Sequence, residues 1–69
     1  ILINMKNFIN VKLQSGNEIM VSTNHIFGIE STSEHTCSIG MDTNDKTFQL
    51  IYVDMSIEEV KTLIEQAQY

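Results

Sequence analysis

The sequence has no proline and no arginine, a single cysteine and three glycines, and each shortage removes a class of explanation. Without proline there is no proline-rich linker, and no repeat or low-complexity tract divides the chain, so its 69 residues make one domain at most. One cysteine, Cys37, excludes an internal disulfide and fits a reducing compartment, so a cytoplasmic location is expected. Only Lys6, Lys12, Lys46 and Lys61 stand against nine carboxylates, for a net charge of −5. Nucleic-acid binders draw much of their affinity from clustered cations on phosphate, and an anionic membrane surface asks for the same. Four scattered lysines supply neither. No apolar run approaches the roughly 20 residues that cross a bilayer, and no stretch has the build of a signal peptide.

Catalytic signatures are equally scarce. The chain holds no glycine-rich phosphate loop, no Gly-x-Ser-x-Gly elbow and no His-Glu-x-x-His. His35 and Cys37 are half a zinc set, with only His25 to add, and structural sites take four ligands. As a nucleophile pair they are too far apart, because alternate residues on a strand lie roughly 6–7 Å from each other. Cys37 falls in phase with Ile39 and Met41, which predicts a core thiol. Asp42-x-Asn44-x-Lys46 opens like a calcium loop, but lysine stands at its fifth position, Thr47 at its sixth and Val53 at its twelfth. No enzyme, metal or cofactor is expected.

What is present is strongest at residues 55–67. Ser56 followed by Glu59 forms a capping box, and Met55 can staple onto Val60 across it. Glu58 and Glu59 place negative charge at the helix start, where exposed N–H groups favour it. Ile57, Val60, Leu63, Ile64 and Ala67 then recur every three or four residues as one apolar stripe. A helix this short is marginal alone, so the stripe must lie on something.

Upstream, the chain reads as the sheet beneath it. Ile1, Ile3, Met5, Ile9, Val11 and Leu13 alternate with mostly polar neighbours, interrupted at Asn7. Thirteen extended residues would span roughly 43 Å, too long for so small a sheet. Either the strand starts near Lys6 or Phe8, or residues 1–7 are an extension that pairs outside their own chain. Ser15, Gly16, Asn17 and Glu18 make a turn, with Gly16 and Asn17 able to take positive φ. Ile19 to Val21 return as a second strand. Ser22, Thr23, Asn24 and His25 read as a bend or short helical turn, and Ile26 to Glu30 as a third strand. A polar turn at Thr32 to His35 leads to a fourth strand at Cys37, Ile39 and Met41, and a hairpin at residues 43–46 to a fifth at residues 47–53. The expectation is an α+β domain over residues 1–69: a small antiparallel sheet of about five strands at residues 8–53, arranged as hairpins, with one C-terminal helix over residues 56–68 packed on it.

The fifth strand is apolar on both sides, with Phe48, Leu50 and Tyr52 pointing one way and Ile51 and Val53 the other. One helix covers one face of a small sheet, so the second face calls for a partner, most simply another copy of the chain. Ile51 and Val53, with Ile1, Ile3 and Met5, are the expected interface. For a ligand, Asn24 and His25 beside Ile26 and Phe27 could form a ledge at the sheet edge, completed by Lys46 and Tyr52; the plainer role of such polar residues is to cap a bend.

Val11-x-Leu13-x-x-Gly16-x-x-Ile19, Asn24-His25-Ile26-x-x-Ile29-Glu30, Thr36-Cys37-Ser38-Ile39 and Ser56-Ile57-Glu58-Glu59-Val60 with Ile64 together resemble the short flagellar and swarming-motility (FlbD-like) family and its small phage and prophage relatives. The resemblance spans residues 8–66 and departs from the family at residues 42–46 and 1–4. It implies a small antiparallel sheet with a C-terminal helix and brings no catalytic residue. Three functions follow as expectations: a non-catalytic phage-type accessory protein acting by binding as a homo-oligomer, an oligomeric sponge for a small nucleotide-type signal such as a cyclic nucleotide, and a motility-regulator-like protein that docks on a host partner.

Overall fold

The computed structural model describes residues 6–43 and 47–68. The expectations placed on Ile1, Ile3, Met5 and Lys46 lie outside the described residues. The elements run β1 (Phe8–Lys12), β2 (Glu18–Ser22), a 3₁₀ turn (Thr23–His25), β3 (Ile26–Ser31), β4 (Cys37–Asp42), β5 (Phe48–Val53) and α1 (Ile57–Gln66). This is the expected α+β arrangement, five antiparallel strands and a closing helix, with one difference. The strands form two sheets, β1-β2 and β3-β4-β5.

The β1-β2 hairpin turns at Gly16, whose φ of 99° is open to glycine and costly for most side chains; Asn17 does not share it. The Leu13 N–H donates to the Asn17 carbonyl at 2.7 Å, and that of Gly16 to the Leu13 carbonyl at 2.9 Å. Beyond β1 the two sheets are stitched together at one corner. Leu13 bridges Val53, the Asp54 N–H donates to the Lys12 carbonyl at 2.7 Å, and that of Gln14 to the Tyr52 carbonyl at 3.1 Å.

Asn7, the residue that breaks the odd-numbered apolar series, marks where the strand begins. Its φ is 68°, a left-handed conformation that asparagine tolerates better than most residues. Its N–H donates to the Ala67 carbonyl at 2.9 Å, and its carbonyl accepts the Thr23 N–H at 2.8 Å and the Thr23 hydroxyl at 3.2 Å. One residue thus ties the start of β1 to the 3₁₀ turn and to the end of α1.

The core lies between the two sheets and the helix: Ile9, Val11, Val21, Cys37, Ile39, Val53 and Val60 are buried, and Met55, Ile57, Leu63, Ile64 and Ala67 pack against them. The whole predicted stripe of α1 therefore faces inward. Both halves of the capping box are made, Glu59 N–H to Ser56 Oγ and Ser56 N–H to Glu59 Oε1, each at 3.2 Å.

Candidate functional site

Directly paired residues in an antiparallel ladder project from the same face, so the register of β3-β4-β5 sorts its side chains. Ile29, Ile39 and Ile51 lie in one row, and Cys37 pairs with Val53; these belong to the core face. Glu30, Ser38 and Tyr52 form a row on the other face, as do Gly28, Gly40 and Leu50, and Asp42 pairs with Phe48.

This ordering corrects the expected interface. Val53 has no exposed surface and Ile51 is partly buried, packed against the same core. The cause is cover from within the chain, since α1 and the β1-β2 sheet enclose that side. The apolar face left open is the opposite one. Phe48 is 65% exposed, Leu50 47% and Tyr52 52%, in a row along β5.

Phe27, 61% exposed, joins them by an irregularity. The register slips between Ile26 and Gly28, leaving Phe27 as an extra residue in β3. Its ring turns onto the outer side of Gly40, where a Cβ would stand 2.7 Å from Phe27 Cζ. There it meets Phe48 edge-on, with ring centroids 5.7 Å apart and planes at 87°, a favoured geometry for aromatic pairs. Glycine at position 40 is thus what allows the ring to approach the sheet here. The pattern of Phe27, Gly28 and Gly40 was the available signal for this contact, since a strand glycine often marks a bulge or a close approach.

Of the expected ligand residues, the three that are described do not converge. Asn24 and His25 sit exposed in the 3₁₀ turn. The His25 ring accompanies Asp42, Nδ1 to Oδ1 at 3.0 Å, at the end of the sheet where Phe48 stands. Tyr52 pairs with Ser38, four residues along β4 from Asp42, roughly 13 Å at about 3.3 Å per residue. Instead of a polar ledge, His25 and Asp42 form one rim of the aromatic face, and Glu30 lies on the other beyond Ser38.

The remaining chemical candidates separate too. Cys37 is buried in the core, and burial first, then the Glu59 carboxylate, pushes its thiol pKa up. His35 is almost fully exposed in the turn, 3.9 Å from Glu34. That turn is knit by hydroxyls, with Thr36 Oγ1 2.7 Å from both Thr32 Oγ1 and Ser33 Oγ. Among the described residues no three histidine, cysteine or carboxylate side chains gather as a metal would require, and no helix is long and apolar enough to cross a membrane. No family model, curated protein or solved structure matches the chain.

Proposed function

We propose that this protein is a small non-catalytic accessory protein of the phage type, one that acts by binding and works as an assembly of its own copies. The observation that carries the reading is the open apolar face formed by Phe27, Phe48, Leu50 and Tyr52. The largest apolar patch on a small protein is often its functional surface. A chain this short also draws little stability from its own core, and association is a common remedy. The site offers apolar contact with carboxylates at its margins, chemistry suited to docking rather than bond-making.

Native mass spectrometry with light scattering at micromolar concentration tests the reading. The expected result is a defined oligomer. A strict monomer would remove it. The same spectrum reports any small molecule carried along, and a retained nucleotide would favour the sponge function over simple assembly.

A further inference from the structure

We infer that the occupant of the outer sheet face is a second copy of this chain, seated face to face across a two-fold axis to make a closed dimer. This rests on the reading of the protein as a self-assembling binder and adds which surface meets which, and how many copies result.

Area is the first argument. Phe27, Phe48, Leu50 and Tyr52 are between 47% and 65% exposed, so together they offer on the order of 400 Å² of apolar surface, given about 150–250 Å² for a whole aromatic side chain. Two copies would bury about 800 Å² of such surface. A stable interface of about 1,200–1,600 Å² that is roughly 56–65% apolar contains about that much. One face on each copy is therefore enough, without recruiting a second patch.

Continuity is the second argument. Toward the outer face β4 contributes Ser38, Gly40 and Asp42, and β3 contributes Gly28, Glu30 and the Phe27 ring, which lies over Gly40. Beside them β5 raises Phe48, Leu50 and Tyr52, and Phe27 meets Phe48 edge-on, so the four side chains form one apolar surface. A two-fold axis along the strands sets that surface against its equivalent on the other copy. Such an interface is isologous and closes at two copies.

Charge is the third. The face carries Glu30 and Asp42 at its margins and leaves the middle uncharged, so pairing buries no carboxylate at the centre, where it would cost most. The net charge of −5 on each copy opposes approach at long range, and salt screens that repulsion. Added salt should thus tighten the dimer. A basic partner on the same face would show the opposite dependence.

Sedimentation equilibrium on the full chain tests this with Leu50→Asp, Phe48→Ser and, on the outer face of the other sheet, Met20→Asp, each first shown folded by its far-ultraviolet spectrum. The expected result is a dimer whose dissociation constant rises about tenfold or more in Leu50→Asp and Phe48→Ser, is unchanged in Met20→Asp, and falls as salt is added. An oligomer indifferent to Leu50 and Phe48, or one larger than two copies, overturns this inference and leaves the function standing. A wild-type monomer at every concentration and salt overturns both. Self-association that weakens with salt also overturns the inference, because it would require cationic contacts that the described part of this face does not hold.

Discussion

On the inner face of the three-stranded sheet, Ile39 is fully buried in a row with Ile29 and Ile51; on the outer face, Leu50 stands one strand away and keeps nearly half its surface in water. Residue type does not separate them, since both are branched aliphatics in regular strands. What separates them is cover: α1 and the β1-β2 sheet lie over one side, and nothing within the described chain lies over the other. The inner face is thus answerable to folding, and the outer face is not covered by the described chain. That division can be broken experimentally. Ile39→Ala should lower unfolding free energy by about 2–5 kcal/mol through lost burial and a residual cavity, whereas Leu50→Ala should change it by no more than about 0.5 kcal/mol. Urea titrations at concentrations where the chain is monomeric would show this. Similar losses for both would mean that the outer face is also part of the fold.

The helix that creates the asymmetry can be weakened without touching either face. Ser56→Ala removes the hydroxyl that accepts the Glu59 N–H and leaves Glu59 reaching back alone. The expected loss is about 1 kcal/mol, read as a lower urea midpoint with an unchanged slope, because the surface exposed on unfolding stays the same. A changed slope would instead indicate that α1 detaches before the sheets unfold, and that the inner face loses its cover in a separate step.

The same two-face logic explains what could be read from the sequence. The helix, its cap and its stripe were legible because Ser56, Glu59 and the apolar spacing are local signals that agree with one another. So were the turn at Gly16 and the positions of the five strands, with the start of the first left between two alternatives. The side of β5 that turns inward was not, because Phe48, Leu50 and Tyr52 are as apolar as Ile51 and Val53, and period-two alternation says only that they oppose. The choice is made from a distance, by the Leu13 to Val53 bridge and by the helix that follows. The split into two sheets was not legible; Asn7 interrupts the apolar series, but its bonds to Thr23 and Ala67 join segments far apart in the chain. The aromatic face was missed because Phe27 reaches it through a bulge, which displaces one residue from strict alternation. The polar residues Asn24, His25 and Tyr52 drew attention as types, but topology keeps the first two and the third at different ends of the sheet.

The smallest effect sharpens the comparison at one atom. Cys37 lies on the inner face against Val53, and its pKa is raised above the ordinary value of 9.0, by burial chiefly and by the Glu59 carboxylate in addition. A raised pKa means that the folded chain holds the thiol proton more tightly than the unfolded chain does. Its contribution to stability is therefore complete below the unfolded value and is lost as pH climbs from there through the folded value. Stability should decline above about pH 9, beyond whatever the lysines contribute. Cys37→Ala retains those lysines and lacks the thiol, so the difference between the two pH profiles isolates Cys37. It should be flat below pH 8 and narrow above pH 9. In the same window an aromatic disulfide reagent should label the wild-type thiol only at the rate of unfolding, since the thiolate it attacks is both disfavoured and enclosed. Rapid labelling at neutral pH would show that the inner face is open to solvent, and the contrast with Leu50 would then be one of degree.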